Sequence, residues 1–182
     1  MIACLGWGSL VWDPRELPVL RGWFEDGPML PVEFTRKSND GRMTLVVDPA
    51  ARSIRVLWAQ LQPTDLNAAR LALKEREGIS AKQWERLIPV WQTGEIAPGA
   101  LPGLPSWAEA VGVDSVIWTG LAPKFGKEGH RPSIADVVRH LDGLRGMPRE
   151  HAESYVRNAP AQIDTEYRRE IEARLGWTPS GR

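Results

Sequence analysis

The chain has 182 residues, 42% of them apolar and 25% charged, with 23 Lys and Arg balanced by 23 Asp and Glu. That length suits one domain, residues 1–182, with a core of its own, and the balanced charge gives no basic excess for neutralising phosphates, so a nucleic-acid partner is not expected. The single cysteine, Cys4, excludes an intrachain disulfide framework and a Cys-rich metal site and fits a reducing, cytoplasmic setting. No run approaches the ~20 apolar residues of a membrane helix, and the first residues lack the basic region and apolar length of a signal peptide.

Residues 2–6 form a short apolar run ending in glycine, which predicts a buried strand entering a tight loop, Gly6-Trp7-Gly8-Ser9-Leu10. Residues 30–36 alternate in part and predict a second strand. Asn39-Asp40-Gly41 is a strong turn signal, and Met43 to Val47 is the return arm of a hairpin, stopped by Asp48-Pro49. A strand is predicted over 54–61. A helix follows, with Thr64 or Asp65 as N-cap, Leu66 to Glu77 as its body and Gly78 as its terminator.

Trp84 to Trp91 reads as a strand or an irregular segment, and the Gly- and Pro-rich stretch 94–107 as a surface loop. Val113 to Trp118 predicts another buried strand. Three helices are expected across about 132–176: Ile134 to Leu144, ended by Gly146 and Pro148, then Arg149 to Asn158, then Thr165 to Leu175. The last mixes Arg168, Arg169 and Arg174 with Glu166, Glu170 and Glu172, the pattern of a solvated face. Strands first and helices late give an α+β class, with a β-barrel core as one form of it.

Two features carry chemistry. The first is the loop. Its glycines permit positive φ and close approach of a ligand to the backbone, and successive amides in such a turn make a concavity for a carboxylate or phosphate. The plainer alternative is a tight structural turn. A dinucleotide fingerprint fails for want of a third glycine near Val11, and a nucleophile elbow fails because Leu10-Val11 follows Ser9. A hydrolase built on Ser9 is therefore the weakest enzyme reading.

The second feature is Glu77. Leu66, Ala69, Leu73 and Glu77 fall within about 80° of one helical face, while Glu75 lies opposite. A carboxylate at the end of a core-facing stripe must be paired, hydrogen-bonded or neutralised, and such a group is a candidate general base. The alternative is a helix-end acid that reaches water or pairs with an arginine. Other residue types say less. The nine tryptophans read as core filling or as an aromatic-lined pocket. His130, His140 and His151 have no metal spacing. Cys4 reads as a buried strand residue, and as a nucleophile only with a lowered thiol pKa. Arg36 could add a cation to a bound carboxylate or lie on the surface.

In this order, Trp7-Gly8-Ser9-Leu10 after a strand, Val56 to Leu61 as the strand before the helix, and Glu77-Gly78 at the helix end resemble the γ-glutamylcyclotransferase family, which includes the ChaC-like and AIG2-like proteins. Gly41 to Val46 is similar to the ChaC-like strand region. The resemblance covers about residues 1–80 and is partial beyond. It implies a small mixed β-barrel with surrounding helices. It implies that the amides of Gly8, Ser9 and Leu10 hold the carboxylate of a small γ-glutamyl substrate and that Glu77 is the base for its cyclisation to 5-oxoproline, with no metal or cofactor. Trp7 stands where the family has tyrosine. The family's substrate-side tyrosine has two candidate counterparts on one helical face, His151 and Tyr155, of which Tyr155 keeps the residue type. Segment 94–125 has no family counterpart, and a non-catalytic module binding a small anion or a peptide on the same fold is the alternative function. No membrane partner is implied, and the oligomeric state is left open.

Overall fold

The computed structural model describes residues 1–62 and 65–180. Every residue of β1 (Ile2–Gly6) is buried. It lies between an antiparallel neighbour, β5 (Leu57–Gln60), and a parallel one, β7 (Ser115–Ile117), and β7 pairs in turn with β6 (Val90–Gln92). With both faces covered, a strand reads as a continuous apolar run and not as an alternation.

The chain divides into two compact units, each assembled from three stretches. The first comprises Met1–Gly6, Asp13–Leu30 and Arg55–Gly120, and holds the four-stranded sheet β5-β1-β7-β6. Its helices are α1 (Leu66–Glu77), α2 (Trp84–Leu87) and α3 (Leu104–Val111). The second comprises Trp7–Trp12, Pro31–Ile54 and Leu121–Arg182.

α1 is framed as its sequence predicts. Asp65 is the N-cap, accepting from the backbone N–H groups of Asn67 and Ala68, and Gly78 closes the helix at φ 63°. Thr64, the other candidate cap, lies outside the described residues. Ala69 and Leu73 are fully buried, Leu66 is half-buried and Glu75 is exposed, so the stripe leading to Glu77 is real.

The second unit holds most of a five-stranded sheet, β3 (Met43–Val47), β2 (Met29–Lys37), β8 (Lys124–Phe125) and β9 (Lys127–Glu128) in that order, with β4 (Ser53–Arg55) also pairing β2. β2 and β3 are the expected hairpin, and Gly41 takes φ 89° in its turn, a backbone state that favours glycine. Its helices are α4 (Ile134–Gly143), α5 (Gly146–Asn158) and α6 (Glu166–Leu175). Leu30 to Thr35 are buried without a break, because successive side chains meet different helices: the Phe34 ring meets Tyr155 of α5, and the Glu33 carboxylate meets the first turn of α6.

The class is α+β, with two sheets and six helices among the described residues. The four-stranded sheet ends at β5 and β6 and the five-stranded sheet at β3 and β9, so neither closes on itself as a barrel. No described helix is long and apolar enough to cross a membrane.

Several sequence expectations need correction. The single strand over 54–61 is two, β4 in one sheet and β5 in the other. The break falls at Val56, whose N–H bonds to Pro28 O. A β-carbon at Gly27 would lie 2.3 Å from Val56 O, so the chains meet backbone to backbone there. The stretch 84–91 is a one-turn helix followed by a strand. The Arg70 guanidinium donates to Glu85 O and Ile88 O, satisfying carbonyls at the end of that turn. The loop predicted over 94–107 ends early, because Pro105 sits in the first turn of α3, where its missing N–H costs nothing. Pro148 sits in the first turn of α5 for the same reason, and Gly146 opens that helix instead of ending the one before it.

Arg168 is not on a solvated face. It is 1% exposed and donates to Val156 O, Ala159 O, Pro160 O and Ile163 O, while Arg169 and Arg174 are exposed. The nine tryptophans divide: Trp7, Trp58, Trp91, Trp118 and Trp177 are buried, which favours the core-filling reading for those five.

Candidate functional site

The loop Trp7–Trp12 belongs to the second unit. Val11 N–H donates to Gly8 O at 2.9 Å, closing a turn with Ser9 and Leu10 at its centre. Trp7, Gly8 and Leu10 are buried and Ser9 is half-buried. The glycines are used for space, not for positive φ, which neither Gly6 nor Gly8 adopts. In the first unit, a β-carbon on Gly6 would lie 2.3 Å from the Trp23 ring. In the second, one on Gly8 would lie 2.6 Å from the Tyr155 hydroxyl oxygen.

One residue of β3 fixes both sides of this arrangement. Leu45 O accepts from Trp7 Nε1 at 3.2 Å, and Leu45 N–H donates to Tyr155 Oη at 3.3 Å. The Tyr155 ring is held edge-on by Trp12 at 5.3 Å and by Phe34 at 6.3 Å, with the Arg42 guanidinium over it at 5.6 Å. Tyr155 is 7% exposed. His151, one turn earlier on α5, is exposed. Of the two candidates for the substrate-side tyrosine, Tyr155 is the one the structure sets against the loop.

Glu77 belongs to the first unit. Its side chain is 17% exposed, and Arg76 Nη1 donates to Glu77 Oε1 at 2.7 Å. Arg76 is itself 6% exposed and donates through Nε (3.2 Å) and Nη2 (2.6 Å) to Asp13 O. Burial pushes the Glu77 carboxyl above the ordinary glutamate range, opposed by the Arg76 charge and hydrogen bond and by Arg15. Cys4 of β1 lies within the field of this pair. Its thiol pKa is pushed up, by burial first and by the Glu77 charge second. A thiol so raised stays neutral, which argues against Cys4 as a nucleophile. The Glu77 carboxylate is therefore both desolvated and paired with an arginine.

The other candidates have structural partners. Arg36 Nη1 donates to Ala122 O and Glu128 Oε1, both at 2.7 Å. His140 Nε2 lies 2.7 Å from Gly41 O, and His130 is exposed. Among the described residues no group of three or more His, Cys, Asp or Glu is gathered as a metal-ligand set. An open cleft of about 560 Å³ in the first unit is lined by Trp91, Glu95, Glu109 and Asp114 among others, and it contains neither Glu77 nor any residue of the glycine loop.

Sequence reasoning passed over Arg76 and Glu33. Arg76 carries a legible signal, being next to Glu77 in the chain. Glu33 is 2% exposed and is held by Phe34 N–H, the Thr165 hydroxyl and Tyr167 N–H, the last two from the start of α6. Its signal is one acid inside an apolar run, Leu30 to Phe34. The chain matches no protein-family model and no curated protein.

Proposed function

We propose that this chain is a γ-glutamylcyclotransferase-like enzyme that converts a small γ-glutamyl amine or peptide to 5-oxoproline and releases the amine. The observation that carries the reading is the Glu77 carboxylate, desolvated at the end of α1, raised in pKa and oriented by an arginine. A base in that state is tuned toward neutral pH, where general-base catalysis is most effective.

Glu77 takes a proton from the substrate's α-ammonium. The freed amine attacks the γ-carbonyl carbon and gives up a second proton as the ring C–N bond forms, and the amide bond to the leaving group breaks as its nitrogen takes up both protons and departs as an ammonium. Ring closure is intramolecular, so most of the acceleration comes from holding one conformer. The backbone amides of Gly8, Ser9 and Leu10 are assigned to the substrate carboxylate, with Tyr155 on the substrate side. Trp7 replaces the family's tyrosine, and its hydrogen bond to Leu45 O supports a loop held in place after that change. A cytoplasmic location goes with the proposal.

The test is release of 5-oxoproline from a panel of γ-glutamyl amines and peptides. Wild type turns over at least one, with a rate that rises with pH to a midpoint above the ordinary glutamate value of 4.5. Folded Glu77→Gln loses about 100-fold or more. Full activity in that variant overturns the assignment. Binding without turnover across the panel favours the non-catalytic module.

A further inference from the structure

Arg76 occupies an uncommon position for the arginine beside a buried acid. Its neighbour in sequence is its partner in space. Consecutive residues on a helix point about 100° apart, so an Arg76–Glu77 contact requires the guanidinium to bend toward its neighbour. Asp13 makes that bend stable. Arg76 Nε and Nη2 both donate to the Asp13 carbonyl, which leaves Nη1 for Glu77 Oε1. Three nitrogens of one planar group are thus committed, with the side chain only 6% exposed. A lysine could not repeat this, because it has one nitrogen and no fixed fork.

We propose that Arg76 is a positioning residue for Glu77: anchored on the Asp13 carbonyl, it fixes the orientation of the Glu77 carboxylate and keeps it ionised against the cost of burial. The proposal rests on the reading of Glu77 as a general base and adds the device that sustains it. The charged and titratable groups that act on Glu77 in this unit are Arg76 on its own helix, Arg15 on the segment after Asp13, and Cys4 on β1. Cys4 is a neutral thiol, so it adds no charge of its own. Arg15 is exposed and its Nε bonds the Asp13 carboxylate, so water and that acid screen it. Arg76 is the cation that burial leaves strong.

The experiment follows the Glu77 carboxyl directly by its side-chain ¹³C resonance in protein labelled at glutamate Cδ, assigned by its loss in Glu77→Gln. This readout needs no substrate and no turnover. In Arg76→Gln the titration midpoint of Glu77 rises by one pH unit or more over wild type, a tenfold change in proton affinity. In Arg76→Lys it falls between the two, since the charge returns without the fork. Wherever 5-oxoproline formation is measurable, the midpoint of its pH profile moves by the same amount.

A Glu77 midpoint unchanged in folded Arg76→Gln, with only a lower melting temperature, overturns the proposal and leaves Arg76 a purely structural clamp. If Arg76→Gln does not fold, Arg76→Lys decides: a raised midpoint supports the proposal and a wild-type midpoint overturns it. Should Glu77→Gln retain full turnover, the function reading fails, while the resonance shift still reports on the Arg76–Glu77 pair.

Discussion

The Tyr155 hydroxyl stands 2.6 Å from the point where a side chain at Gly8 would begin, so the two positions are sterically coupled across 147 residues of chain. Real β-carbon contacts are not that short, and Tyr155 cannot yield easily with Trp12, Phe34 and the Leu45 amide around it. Gly8→Ala therefore destabilises the protein by about 1–3 kcal/mol, the usual range for overpacking. The next tyrosine atom, Cζ, would lie at 3.6 Å, an ordinary contact. Tyr155→Phe should consequently absorb most of the alanine. Urea unfolding of the two single variants and the double variant gives the coupling energy directly, and additive effects would show that the loop moves instead.

Glu33 makes stability depend on pH. Burial raises its pKa in the folded state, against the lowering effects of Thr165, the Phe34 and Tyr167 amides and Arg131. A folded pKa above the unfolded value means the folded chain holds the proton more tightly. Its contribution is then fully present below the unfolded pKa and is lost as pH rises through the folded one. Glutamine does not titrate. The stability of wild type minus that of Glu33→Gln should therefore be largest at low pH and shrink as pH rises past the folded midpoint. Denaturant melts at a series of pH values measure this, and a difference that grows with pH contradicts it.

Arg168 is the third test. Its guanidinium serves the carbonyls of Val156, Ala159, Pro160 and Ile163, and Glu172 lies 3.2 Å from its Nε. Arg168→Met strands several of these groups, at about 1–3 kcal/mol for each one left dry, so a loss of roughly 3 kcal/mol or more is expected in thermal unfolding. Arg168→Lys restores the charge but not the fork and should recover only part. A change within about 0.5 kcal/mol, typical of exposed sites, would place this arginine in water.

Arg168 also shows where sequence reading stops. Its neighbours Arg169 and Glu170 look the same in a charge pattern, yet only Arg168 points at the C-terminal carbonyls of α5. The strand break at Val56 is similar. Arg55 and Leu57 belong to one stretch that reads as a single strand, and only the partner each half finds separates them into two sheets. Pro105 and Pro148 mislead in the opposite direction, because a proline signals both a stop and a first helical turn.

The sequence by itself determined what depends on neighbours along the chain: the cap and closing glycine of α1, the apolar stripe that ends at Glu77, the hairpin turn at Gly41, and the glycine-containing loop after β1. These follow from local dihedral preference and period, which a few residues are enough to specify. The tertiary structure decided what depends on groups far apart in sequence. It chose Tyr155 over His151 at the loop, gave Gly6 and Gly8 a steric reason in place of a conformational one, bent Arg76 onto Asp13 so that it meets Glu77, and buried Glu33 and Arg168. Burial and hydrogen-bond partners are properties of packing, and no window of sequence contains them.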